Sequence, residues 1–66
     1  MIVLGIDPGT ARTGFGLVER EGSRLRAVDY GTLETHAGTS DGERLVAIHE
    51  GVRDLIERHH PAFVAV

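Results

Sequence analysis

The sequence contains no cysteine, which excludes a disulfide framework and any thiolate zinc site. That absence fits the reducing cytoplasm. Lysine is missing too: all seven basic residues are arginine, and the formal net charge is −3. A self-sufficient nucleic-acid-binding module presents a basic face. An activity on nucleic acid would therefore need a metal ion bridging acid to phosphate, or basic surface elsewhere. No apolar run approaches the ~20 residues of a membrane span, and no charged-then-apolar leader opens the chain. The sequence accordingly predicts neither export nor membrane insertion. At 66 residues the chain is short for a domain, and chains of this size bury only about 60% of the surface they expose when unfolded. The closing run Ala62-Phe63-Val64-Ala65-Val66 has no terminating turn. A strand ending there leaves backbone groups to be covered. The sequence therefore reads as truncated within a strand.

The apolar run Ile2 to Ile6, closed by Asp7, Pro8 and Gly9, reads as a buried strand. The turn Asp7-Pro8-Gly9-Thr10 leads through Ala11 and Arg12 to a second strand, Thr13 to Arg20, in which Phe15 and Leu17 oppose Gly14, Gly16 and Val18. Glu21-Gly22-Ser23 is a hairpin turn. A third strand runs from about Leu25 to Thr35. Unbroken alternation puts Leu25, Ala27, Gly31 and Leu33 on one face and Arg26, Val28, Tyr30, Thr32 and Glu34 on the other. Ser40-Asp41-Gly42-Glu43 has the form of a capping box. Leu45, Ile48, Val52, Leu55, Ile56 and His59 then recur at helical spacing as one apolar stripe. Asp54 and Arg58 form an i,i+4 pair on the wet side, and Pro61 stops the helix. The order is β-β-β-α-β. The crossover helix predicts that the fourth strand lies parallel to the first, with the helix on one face.

Chemistry concentrates in Gly5-Ile6-Asp7-Pro8-Gly9-Thr10-Ala11-Arg12-Thr13-Gly14-Phe15-Gly16. A carboxylate stands at the exit of a strand expected to be buried, where water screens its field incompletely. Gly9 lets the backbone approach a ligand, Thr10 adds a hydroxyl, and a tight turn aims backbone N–H groups outward. Such a concavity can hold a hard cation and a phosphate together. Asp-Pro-Gly alone is an ordinary type I or II turn. Gly14 and Gly16 argue for more, since each weakens its strand by about 1 kcal/mol. Glycine inside a strand often marks the close approach of a ligand or backbone. The two glycines facing Asp7 suggest a surface cleared for substrate. Arg12, at the mouth of the turn, is a candidate phosphate contact or a solvated arginine.

The hexapeptide Gly5-Ile6-Asp7-Pro8-Gly9-Thr10, followed by Thr13-Gly14-Phe15-Gly16, closely resembles the N-terminus of the RuvC family of bacterial Holliday-junction resolvases. The resemblance continues through Gly31-Thr32-Leu33, the helix bearing Arg44, Leu45 and Ile48, and the segment from Pro61 to Val66. It covers essentially the whole chain but roughly the first third of a complete resolvase. It implies an α/β, RNase H-like fold: a mixed sheet whose first three strands are antiparallel, flanked by helices. It also implies a cytoplasmic homodimer that nicks four-way DNA junctions symmetrically during recombination and repair. Two magnesium ions, with manganese as a substitute, would be held by four carboxylates, and a branch-migration motor of the RuvAB type would be a partner. Only the first of those carboxylates matches a residue here, Asp7, as metal ligand and catalytic group. The second is a glutamate expected directly after Val66, and the other two belong to a C-terminal helix. Asp7 alone cannot hold two magnesium ions in near-octahedral geometry, so the segment by itself is expected to be inert.

Other candidates have ordinary readings. Glu34 and Asp29 are strand acids, a class mostly solvated. His36 and His49 are too far apart in sequence to read as a metal pair. His59 and His60 suit a helix C-terminus, and Phe15 and Tyr30 read as packing residues. Sugar kinases and actin-like ATPases also open with strand, Asp-x-Gly-Thr, strand, and offer an alternative function in binding nucleotide phosphates. YqgF-type proteins, with a nuclease role on RNA, are a nearer alternative, although Pro8 and Phe15-Gly16 lean away from them. A non-enzymatic interaction module, dimerising through an exposed sheet edge, is the remaining alternative.

Overall fold

A computed structural model describes residues 1–9, 12–35 and 38–66. The elements are β1 (Ile2–Pro8), β2 (Arg12–Glu21), β3 (Arg24–Glu34), α1 (Asp41–His59) and β4 (Phe63–Ala65). They form one sheet of order β3-β2-β1-β4. β1, β2 and β3 are successively antiparallel, and β4 lies parallel to β1, as the crossover helix predicts. The β2–β3 hairpin turns on Gly22 and Ser23. Gly22 has φ 62°, the left-handed conformation a type II′ turn requires at its first central residue.

Two strand expectations need correction. β1 does not end at Ile6, because Asp7 pairs with Gly14 and Pro8 with Thr13. Asp7 therefore belongs to the ladder and not to the turn. Pro8, which has no N–H to donate, takes the strand's last place. In β3 the alternation is broken by a register shift: Leu17 pairs with Asp29, but Val18 pairs with Ala27. Val28 is the extra residue of a β-bulge, and it packs against the core with Ile2, Ile6 and Phe15. The bulge puts Leu25 and Ala27 on the face opposite Gly31 and Leu33, and brings Val28 to the Leu33 side.

Ser40 caps α1: its Oγ accepts from the Glu43 N–H at 3.2 Å, satisfying one of the orphan donors of the first turn. The Arg44 Nε donates to Thr35 Oγ1 at 3.2 Å, tying the helix start to the end of β3. Leu55 closes onto Leu4 and Leu17 to make the core. The predicted stripe is only partly covered, since Leu45 is 69% exposed and Ile56 39%. At 100° per residue they lie about 80° and 100° round the helix from Leu55. Arg58 and Asp54 pair on the exposed side, and this hydrogen bond and charge hold the guanidinium pKa above its ordinary value. At the C-terminus His60 is the cap, as expected: it adopts φ 47° and donates its backbone N–H to Ile56 O at 2.9 Å, with His59 in the last turn. His59 is half-buried, and its Nε2 lacks a hydrogen-bond partner among the described residues. The Ala62 N–H then donates to Ile2 O at 2.8 Å and leads the chain into β4.

Candidate active site

Residues directly opposite each other in an antiparallel pair share a face. Leu4 opposes Leu17 and Ile6 opposes Phe15 on the side that α1 covers. The intervening residues make the other face. There Thr32, Gly14 and Asp7 form one cross-strand row, and Tyr30, Gly16, Gly5 and Ala65 form the next. The central positions of both rows carry no side chain. An added Cβ at Gly14 would lie 3.8 Å from Asp7 Cβ, and one at Gly16 would meet nothing within 4 Å. A floor of bare backbone therefore runs up to Asp7. It is the base of an open cavity of about 530 Å³ whose lining includes Gly5, Asp7, Gly14, Gly16, Tyr30 and Ala65.

Asp7 is exposed, so the incomplete screening expected of a buried strand exit is not found in this chain. β1 itself buries only Leu4 fully. At Gly9 the close approach is internal, because an added Cβ would stand 2.3 Å from Arg12 O. Glycine is thus demanded by the chain's own backbone at Arg12. Arg12 lies on the Asp7 face, with its Nε 3.4 Å from Glu34 Oε1 in an exposed cross-strand ion pair. Thr10 and His36 lie outside the described residues. Asp29 is exposed at the bulge and accepts the Tyr30 N–H at 2.8 Å. His49 is exposed on α1. Phe15 packs against the core as expected. Tyr30 does not, being 80% exposed on the Asp7 face. The bulge at Val28 sets it opposite Gly16 and not opposite Phe15.

Among the described residues no three His, Asp or Glu side chains converge as a metal-binding group. A hard divalent cation takes one or two carboxylates and completes its shell with water and phosphate oxygens. Asp7, exposed over an open floor, fits as one ligand of such an ion; the chain does not enclose one by itself. No helix among the described residues is long and apolar enough to cross a membrane.

The family model of the crossover junction endodeoxyribonuclease RuvC matches residues 3–66. The chain belongs to the RuvC family. A RuvC from Chloroflexus aggregans is 53% identical over 66 residues, which are 100% of this chain and 40% of the relative. One from Roseiflexus sp. is 51% identical over 63 residues, 96% of this chain and 38% of that protein. Among solved structures, Thermus thermophilus RuvC in complex with Holliday junction substrate matches with a TM-score of 0.86 at 34% identity. That likeness covers 97% of this chain and 41% of that one. The chain thus spans about 40% of the length of the RuvC relatives it matches. These likenesses identify the architecture as the N-terminal β-β-β-α-β portion of an RNase H-like fold, and they do not favour the kinase, actin-like or YqgF-type alternatives.

Proposed function

We propose that this chain supplies the opening strands and the first metal-binding carboxylate of a magnesium-dependent endonuclease that resolves four-way DNA junctions by symmetric nicking. The reading assigns residues 1–66 to the N-terminal part of one RNase H-like domain, working as a cytoplasmic homodimer with a RuvAB-type motor. It is supported by membership of the RuvC family and, in the geometry, by one observation above the rest: Asp7 stands at the margin of a sheet face stripped of side chains by Gly5, Gly14 and Gly16.

Asp7 would serve as a metal ligand that fixes the position of the scissile phosphate. Magnesium, when bound, supplies Lewis-acid stabilisation of the phosphodiester and an activated water. The absence of side chains at Gly14 and Gly16 lets a sugar-phosphate backbone come down to the level of the carboxylate. Gly9 and Arg12 would lie along its path, with Arg12 exchanging its Glu34 partner for a phosphate. The net charge of −3 suits this division of labour, because the phosphate is met through a cation and not through a basic patch.

The test is Asp7→Asn in the whole protein that carries this chain, with a synthetic four-way junction and magnesium. The change keeps shape and removes charge. The expected result is native junction affinity with nicking abolished. Cleavage at the native rate would sink the assignment, and joint loss of binding and fold would make Asp7 structural. The 66-residue chain alone should nick nothing in an Asp7-dependent way.

A further inference from the structure

We propose that Tyr30 is a nucleotide-contacting residue of this site, its ring stacking on a base of the strand being cut within about three nucleotides of the phosphate at Asp7. The inference rests on the nuclease reading above. It starts from the β-bulge in β3. The hairpin register Glu21↔Arg24 through Val18↔Ala27, continued unbroken, would set Tyr30 opposite Phe15, on the face covered by α1. The extra residue at Val28 sets Tyr30 opposite Gly16 instead, on the open face with Asp7. Bulges re-aim side chains in this way and concentrate next to active sites. The same shift brings Gly31 under the Phe15 ring, where an added Cβ would stand 3.2 Å from the ring atoms. The bulge is held by the Tyr30 N–H, which donates to Asp29 Oδ1 at 2.8 Å.

An exposed aromatic is not by itself informative, but the position of this one is. Tyr30 is 80% exposed and lines the cavity that Asp7 lines, with only the backbone of Gly16 and Gly5 between its strand and β1. Two strand spacings and two residues along β1 separate Tyr30 from Asp7, about 12 Å in all. A stacked strand covers that distance in about three nucleotides at ~3.4 Å each. DNA with a phosphate at Asp7 that leaves across the glycine floor therefore reaches the tyrosine ring. Every base has a π-face, so the contact holds substrate without reading sequence.

The experiment uses the whole protein with synthetic four-way junctions carrying 2-aminopurine at each of the three positions on either side of the cleaved phosphate. In the unsubstituted protein, binding should quench fluorescence at one of these positions. Tyr30→Ala should abolish that quench and weaken junction binding roughly 5- to 150-fold, the factor expected for loss of one base–aromatic stack. The thermal midpoint should not move, and Tyr30→Phe should retain both quench and affinity. Native affinity and quench in Tyr30→Ala, with Asp7-dependent nicking intact, would overturn the inference while leaving the nuclease reading standing. A fall in thermal midpoint accompanying the lost binding would also overturn it, since the ring would then be packed beneath other polypeptide. Equal impairment in Tyr30→Phe would assign the effect to the hydroxyl and reject stacking. Absence of Asp7-dependent nicking in the unsubstituted protein would remove the nuclease reading itself.

Discussion

Filling the glycine floor should separate stability from activity. Gly16 sits mid-strand without a positive φ, and a Cβ there would meet nothing within 4 Å. A Cβ at this position is thus free of steric penalty in this chain, and Gly16→Val is the substitution to make. Glycine in a strand interior costs about 0.5–1 kcal/mol relative to alanine, and a β-branched side chain suits a pleated surface better still. The variant should therefore gain about 1 kcal/mol. In a protein of 150–250 residues that raises the thermal midpoint by about 2–4 °C. Cleavage should move the other way. The valine raises the floor beside Asp7 by a branched side chain, and a misplacement of about 1 Å at a reacting centre can cost 100-fold. Thermal melts and single-turnover nicking of a synthetic junction at saturating protein test both halves. A stabler variant that nicks at the native rate would show that substrate does not lie on this floor. A destabilised variant would show that other polypeptide fills it.

Four further substitutions probe the surroundings. Gly9→Ala should destabilise by about 1–3 kcal/mol, because its Cβ would collide with Arg12 O at 2.3 Å, whereas Gly14→Ala, at ordinary contact distance from Asp7 Cβ, should not; parallel melts compare them. Glu34→Gln breaks an exposed ion pair with Arg12 and leaves an amide oxygen to accept from the Thr32 hydroxyl, so stability should change by less than about 1 kcal/mol and nicking should stay within about twofold in the same assay. A loss as deep as that of Asp7→Asn would make Glu34 a metal ligand. Ser40→Ala leaves the Glu43 N–H without its capping oxygen and should cost about 1 kcal/mol, read as a lower thermal midpoint with unchanged junction affinity.

The parts of the fold that were legible in the sequence are those governed by short-range chemistry. Ser40, Glu43 and Pro61 bracket a helix observed from Asp41 to His59, and the crossover it makes requires β4 to run parallel to β1. The placement of Gly14 and Gly16 facing β1 beside Asp7 was likewise readable, because period-two alternation holds along β2. What escaped depended on partners distant in sequence. Nothing in Ile6-Asp7-Pro8 says that the ladder continues to Pro8, because that depends on Gly14 and Thr13 lying opposite. Leu45 and Ile56 belong to an apolar stripe by spacing, yet both stay exposed in this chain, which spans about 40% of its relatives' length.

The bulge has the largest consequence for function. Arg24 to Glu34 is a run of plausible strand residues with no glycine or proline at Val28 to announce an extra residue. It is needed because two demands on β3 conflict. The tight Gly22-Ser23 turn sets one register, and the Phe15 ring, lying close over Gly31, favours another. One inserted residue reconciles them and sends Val28 inward and Tyr30 outward. A variant lacking Val28 would lose the bulge yet keep Asp29 opposite Leu17 and Tyr30 opposite Gly16, because one residue fewer on β3 closes the register that the extra residue now opens. The exposure of Tyr30 beside Asp7 is therefore coupled to core packing on the opposite face, through a register that no local propensity encodes.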